Sequence, residues 1–132
     1  MAEFIMRDML IHRGVSDLVR VASAATSREE IGNDMYPPAK RKLREKGIPF
    51  TPRAARQVTV SDYRYYDRLI CMDSSNLRLL RYIIGEDTQG KVSLLMEWVG
   101  KSRDVADPWY TGDFEATYRD IVEGCTALLK QL

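Results

Sequence analysis

Three short apolar segments, each followed by a segment with helical character, constrain the fold more than any other feature of this sequence. These segments are Val19–Ala24, Asp67–Asp73 and Lys91–Trp98. Short runs rich in Val, Ile and Leu are typical of buried strands. Because strands that alternate with helices form parallel sheets with helices on both faces, the sequence predicts a three-layer α/β/α fold.

Capping signals delimit the intervening helices. An apolar stripe at helical spacing begins at Met1 and ends before Gly14, which is a typical residue just beyond a helix. No residue precedes Met1 to cap this helix, and three strands are few for such a sheet. Both observations lead us to expect that structure is missing at the N-terminus. The other predicted helices are Pro37–Gly47, Ser74–Glu86 and Asp113–Leu132.

Composition narrows the class of protein. A chain of 132 residues is of the size of one domain, 1–132, and its net charge of +1 gives no reason to expect nucleic acid or a membrane as partner. Cys71, Cys125 and the single histidine, His12, do not have the spacing of metal ligands. We therefore expect a cytoplasmic protein with reduced cysteines, no metal and no cofactor.

One loop carries an unusual combination of residues. Asp107 and Pro108 are followed by two adjacent aromatic residues, Trp109 and Tyr110. The loop follows the third predicted strand, and parallel sheets bind their ligands beyond the carboxyl ends of their strands. From residue chemistry alone, Asp before Pro is a turn former, and the aromatic pair could equally cover the last helix.

Four segments together resemble the low-molecular-weight protein tyrosine phosphatases in order and spacing, over essentially the whole chain. The resemblance implies a parallel sheet of the phosphotyrosine-phosphatase-I type from which the central first strand is missing. It also implies a phosphoric monoester hydrolase that acts through a phosphocysteine intermediate on phosphotyrosine proteins or aryl phosphates. The segments read SAATSREEIGND, GIPFTPRAARQV, YYDRLICMDSSNLRLL and DVADPWYTGDFEATYRDIVEGC.

The resemblance assigns roles to the unusual loop. Asp107 matches the general acid that protonates the leaving phenolate, a step worth about 10²–10⁴-fold in rate. Trp109 and Tyr110 match the aromatic walls beside the phenol ring, where stacking contributes about 0.5–1.5 kcal/mol beyond burial.

Further positions match residues around the family's active site. Ser23 matches a serine that supports the phosphate-binding loop, and Asp73 and Asn76 match a segment near the family's active site, although each could equally serve as a local cap. Arg53 stands where many relatives have histidine, which would turn a histidine–aspartate pair into an ion pair with Asp73. Glu29 stands where relatives often have an aromatic residue at the second wall of the substrate pocket.

The chain departs from the family at its catalytic centre. The family's phosphate-binding loop contains a cysteine and an arginine separated by five residues, and these 132 residues contain no such motif. Six residues separate Cys71 from Arg78, and Cys71 lies in a predicted strand, so both Cys71 and Cys125 are interpreted as core thiols. We therefore expect the chain to be inactive as it stands.

Two alternatives remain open. The chain could be a non-catalytic remnant that self-associates or binds a partner, because the strand absent from the sheet would leave unpaired edges. The scaffold could also serve another oxyanion, since arsenate reductases and arginine phosphatases share it. In the aromatic run Tyr63–Asp67, Tyr65 and Tyr66 resemble positions near the family's Tyr/Phe-Asp pair; alternatively, the run is a hydrophobic connector beneath the sheet.

Overall fold

The computed structural model describes residues 1–108 and 112–132 of the chain. Every helix among them is too short or too polar to cross a membrane. The helices are α1 (Ala2–His12), α2 (Pro37–Glu45), α3 (Val60–Tyr65), α4 (Ser74–Ile84) and α5 (Phe114–Leu129), the strands are β1 (Leu69–Cys71) and β2 (Val92–Leu94), and a 3₁₀ helix spans Leu95–Val99.

The sheet is parallel, as predicted, and separates two hydrophobic layers. β1 pairs with β2 in a register that places Ile70 beside Ser93. Alternate side chains of a strand point to opposite faces: Leu69 and Cys71 pack with α4, whereas Ile70 packs with the core formed by α1, α2 and α5. The predicted α/β fold with helices on both faces of a parallel sheet is therefore confirmed.

The prediction of a strand at Val19–Ala24 was wrong. These residues form no strand with the part of the chain that the structure describes, although Val19 and Val21 are partly buried against the core. A strand needs a neighbouring backbone along its whole length, and pairing begins only at Ala25, whose N–H donates to the Arg56 carbonyl at 2.8 Å. The Val21 carbonyl instead accepts from the Arg7 guanidinium.

The third predicted strand is shorter than expected. β2 ends at Leu94, and the 3₁₀ helix follows at once. The side chain of Glu97 accepts from the Leu94 N–H, and the Trp98 indole donates to Ser93 Oγ at 3.0 Å. These two local hydrogen bonds stabilise a turn where hydrophobicity alone predicts a continued strand.

Most helix ends agree with the capping signals. Asp73 and Asp113 cap α4 and α5 by accepting backbone N–H groups in the first turn, and Gly14 and Gly47 follow α1 and α2 with positive φ. α3 was not predicted from the sequence. Its signal is a capping box in which Thr59 and Asp62 exchange hydrogen bonds.

α5 approaches the 3₁₀ helix through a glycine. A β-carbon at Gly124 would lie 2.4 Å from Leu95 Cγ, a distance that real Cβ contacts do not reach. Leu95 is 1% exposed, so its side chain has little room to move aside. Gly124 therefore sets how closely α5 packs against the 3₁₀ helix.

Candidate functional site

The loop before Asp107 is fixed to the carboxyl end of β1. The Val105 N–H donates to the Met72 carbonyl at 2.8 Å. One residue earlier, Asp104 Oδ1 accepts from both the N–H and the hydroxyl of Ser74, each at 2.9 Å. The loop therefore leaves the sheet at the point where β1 passes into α4, which is where parallel sheets place their ligands.

Ala106 is held by both of its backbone polar groups. Its N–H donates to Asp120 Oδ2 at 2.9 Å, and its carbonyl accepts from the Thr117 hydroxyl at 2.7 Å. Both partners lie on the buried face of α5. This arrangement fixes the peptide that leads directly to Asp107, an exposed residue.

Arg103 completes the anchor. Its guanidinium donates to both carboxylate oxygens of Asp120, each at 2.8 Å. These hydrogen bonds, supported by the one from the Ala106 N–H, hold the pKa of Asp120 below its usual value despite the opposing effect of burial. Asp120 is thus an ionised carboxylate that accepts hydrogen bonds from two parts of the loop, the Arg103 side chain and the Ala106 backbone.

Sequence reasoning missed Thr117 and Asp120. They are the polar residues on the buried face of α5, three positions apart and followed by the apolar Ile121 and the small Gly124. A threonine and an aspartate on an otherwise apolar face predict partners in the core, since buried polar groups are hydrogen-bonded. That signal was available in the sequence, but the identity of the partner was not.

Trp109 and Tyr110, which the sequence analysis assigned to the substrate, lie outside the described residues. A groove of about 800 Å³ opens beside Pro108 and Gly112. In it, Tyr36 faces Phe114 with ring centroids 6.1 Å apart. The groove is lined by Tyr36, Pro38, Arg41, Lys42, Glu45, Pro108, Gly112 and Phe114.

Ser23 and Arg53 form a second cluster. Arg53 Nη1 donates to Ser23 Oγ at 2.6 Å, and the Ser23 hydroxyl donates to Glu3 Oε1 at 2.6 Å. Glu3 also pairs with Arg7 at 2.8 Å. Ser23 therefore connects α1 with the segment that contains Arg53, and Glu3 is a member of the cluster that the sequence analysis did not identify.

The expected ion pair between Arg53 and Asp73 was wrong for the described part of the chain. Asp73 accepts the Asn76 N–H at 2.7 Å and is thereby committed to capping α4. The Arg53 guanidinium donates to Ser23 instead, while its backbone N–H donates to Asp34. The structure brings Asp73 and Asn76 together through backbone capping. It shows no hydrogen bond between this pair and Ser23.

Glu29 is exposed and makes no hydrogen bond or ion pair with a described residue. Its neighbour Glu30 accepts from the Asn33 side chain at 2.7 Å, which stabilises the turn. The region that the sequence analysis assigned to the second pocket wall is thus an acidic surface loop.

Both thiols are core residues, as predicted. Cys71 is 7% exposed and Cys125 is 3% exposed. Burial raises the pKa of Cys71 to about 11, with the charge of Asp73 contributing, and burial raises the pKa of Cys125 to about 12. A thiol with such a pKa is protonated near neutral pH and is a poor nucleophile.

The chain is similar to proteins of one family along its whole length. The family described as low molecular weight phosphotyrosine protein phosphatase matches residues 1–132. The chain is 35% identical to the low molecular weight protein-tyrosine-phosphatase YfkJ of Bacillus subtilis over 134 residues, which cover 100% of the chain and 86% of that protein. It is also 35% identical to the human low molecular weight phosphotyrosine protein phosphatase, of which it covers 85%.

Solved structures agree with the sequence comparison. The crystal structure of YfkJ matches 98% of the chain and 83% of its own length, with a TM-score of 0.92. A low molecular weight protein tyrosine phosphatase from Streptococcus pyogenes, 33% identical, matches 99% of the chain and 82% of its own length, with a TM-score of 0.87.

Proposed function

Because this chain belongs to the low molecular weight phosphotyrosine protein phosphatase family, we propose that its Asp107 loop is the part of a phosphatase site that protonates the leaving group and holds the substrate ring. The observation that supports this most is the anchoring of Ala106 to Thr117 and Asp120. A general acid must be held within hydrogen-bond reach of the atom that it protonates.

In the proposed reaction, a cysteine thiolate attacks phosphorus and the ester oxygen leaves as a phenolate. Asp107 donates its proton to that oxygen, so the leaving group departs as a neutral phenol. Trp109 and Tyr110 hold the aromatic ring between them. The groove beside Pro108 is a suitable place for the peptide that flanks a phosphotyrosine.

The nucleophilic half of the reaction needs groups that these 132 residues do not provide together. A thiolate of low pKa and an arginine fork must share one anion-binding loop, and no cysteine here precedes an arginine at the family's spacing. The raised pKa values of Cys71 and Cys125 argue against either thiol as a substitute. We therefore propose that this polypeptide by itself does not turn over aryl phosphates.

Two experiments test these proposals separately. In the first, hydrolysis of 4-nitrophenyl phosphate by the chain is compared with that by Cys71→Ser, and both should match the buffer blank. Turnover that the serine variant loses would overturn the claim of inactivity.

In the second, phenyl phosphate is titrated into isotope-labelled chain and NMR shifts are followed. Shifts should centre on residues 105–114 and disappear in Trp109→Ala, whereas Trp98→Phe, a change in the 3₁₀ helix, should keep them. Shifts confined to other parts of the chain would contradict the proposed ring site.

A second candidate function is self-association through unpaired backbone. Residues 19–24 alternate between partly buried and exposed, as a strand does, and they form no strand with a described neighbour. Such a segment can pair with a second copy or with an extended peptide. Light scattering should then give a mass above that of a monomer, and replacing Val21 by Pro should reduce it. A monomer across the accessible concentration range would contradict this function.

The two reduced cysteines support a cytoplasmic location, because free thiols persist in reducing compartments.

A further inference from the structure

Tyr65 is more exposed than the two tyrosines near it, Tyr63 in α3 and Tyr66 directly after the helix. Tyr63, on the same helix, is buried, and its hydroxyl donates to Asp87 Oδ1 at 2.6 Å. Tyr65 is 60% exposed and packs edge-on against Tyr66 with ring centroids 4.8 Å apart. The interpretation of this run as a buried connector therefore holds for Tyr63 and fails for Tyr65.

The hydroxyl of Tyr65 faces a cation. The Arg20 guanidinium donates to Tyr65 Oη and lies 5.9 Å from the centre of its ring. Arg20 makes no ion pair with a carboxylate among the described residues. A phosphoryl group on Tyr65 would therefore lie beside the Arg20 guanidinium, which already contacts the oxygen that is modified. Arg20 would not have to break an ion pair with a described carboxylate in order to bind it.

We propose that Tyr65 is a phosphorylation site and that Arg20 binds the phosphoryl group once it is attached. The donor is ATP and the catalyst is a protein-tyrosine kinase. Tyr65 Oη attacks the γ-phosphorus, the bond from that phosphorus to the β–γ bridging oxygen breaks, ADP leaves, and the phenolic proton passes to the kinase base. The hydrogen bond from the Arg20 cation to a neutral phenol is thereby replaced by an ion pair with a phosphate group that carries a charge of about −1.5 to −2.

Access to a kinase is consistent with the length of α3. The helix has six residues and Tyr65 is its last. A helix this short depends on its packing for stability and opens easily, and Tyr66, the next residue, already has an extended backbone. The exposed Tyr65 side chain therefore lies where the helix ends, four positions before β1 begins at Leu69.

Modification would act on the candidate site through the segment that contains Arg20. Arg20 is three residues from Ser23, whose hydroxyl connects Arg53 with Glu3. The intervening residues have no strand partner in the described part of the chain. A phosphate held by Arg20 would fix this segment at one end and so limit the movement of Ser23.

The test uses a matched tyrosine within the chain. Tyr82 is 82% exposed on α4 and has no described hydrogen-bond partner. The 132-residue chain is treated with Mg-ATP and a broad-specificity tyrosine kinase, and the modified residues are mapped by mass spectrometry. Tyr65 should be modified, and Tyr65→Phe should remove that phosphopeptide while leaving any at Tyr82.

Phosphotyrosine incorporated genetically at position 65 or 82 tests the role of Arg20 independently of any kinase. A phosphorus NMR titration should give a second phosphate pKa about 0.5 unit lower at position 65 than at 82. Arg20→Gln should abolish the difference, whereas Arg13→Gln, an exposed control, should keep it. Equal pKa values at the two positions, or a difference that survives Arg20→Gln, would overturn the proposal, as would a kinase reaction that leaves Tyr65 unmodified.

Discussion

Arg103 and Asp120 form a two-pronged ion pair across the base of the Asp107 loop, with both nitrogen–oxygen distances at 2.8 Å. The same carboxylate accepts the Ala106 N–H. One buried side chain on α5 therefore determines the path of the loop at two points.

Replacing Asp120 by Ala should lower the free energy of unfolding by about 1–3 kcal/mol, because it leaves the Ala106 N–H without its acceptor. Urea denaturation measures the loss. Glu123→Ala is the matched control on the same helix: Glu123 pairs with Lys101, but both side chains are more than 40% exposed, so the expected loss is about 0.2–1 kcal/mol. Equal losses would show that Asp120 does not anchor the loop.

The stability contributed by Asp120 should depend on pH. Its pKa is lowered in the folded protein, mainly by Arg103, so the folded state favours the ionised form. The contribution is complete above the ordinary aspartate pKa of about 4 and is lost as the pH falls through the lower folded value. The difference in melting temperature between the parent chain and Asp120→Asn should shrink as the pH falls below about 4. A constant difference would contradict the lowered pKa.

Gly124→Ala should destabilise the packing between α5 and the 3₁₀ helix. The added methyl group would clash with Leu95, at 2.4 Å from its Cγ, and overpacking of this kind costs about 1–3 kcal/mol. The same substitution in a Leu95→Ala background should cost less, because the clashing atoms are gone. A double-mutant cycle on unfolding free energies measures this coupling, and the absence of coupling would exclude the contact as the cause.

Both thiols should react slowly in the folded chain. Burial raises the pKa values of Cys71 and Cys125 to about 11 and about 12, so the thiolate fraction at pH 7.5 is very small. Iodoacetamide should modify them much faster in denaturing urea than in buffer, as measured by intact mass. Rapid modification of Cys71 in buffer would indicate a reactive thiol and would weaken the proposal of catalytic inactivity.

The helix boundaries could be predicted from sequence because their causes are local. Asp73 caps the helix that follows it, and Gly14 ends the helix before it, through contacts within a few residues. Val19–Ala24 could not be judged in this way, since a strand exists only if another backbone lies beside it. Its residues alternate between partly buried and exposed, as in a strand, but they form no strand with a described neighbour.

Only part of the candidate site could be predicted from the sequence. The Asp-Pro-aromatic-aromatic motif drew attention to Asp107 from sequence alone, and the family resemblance gave it a role. Asp120 and Thr117, which fix the loop, could be recognised as buried polar residues but not assigned to Ala106, which lies 14 positions before Asp120. For Arg53 the partner expected from the sequence was wrong. The carboxylate of that partner, Asp73, accepts a backbone N–H three residues away instead.

The alternation along β1 has a consequence for insertions and deletions. Leu69 and Cys71 face one hydrophobic layer while Ile70 faces the other. Removing one residue from this strand would exchange the two layers for every side chain on one side of the cut. Libraries that vary the identity of these residues should yield many folded chains, whereas libraries that vary the length of the strand should yield few.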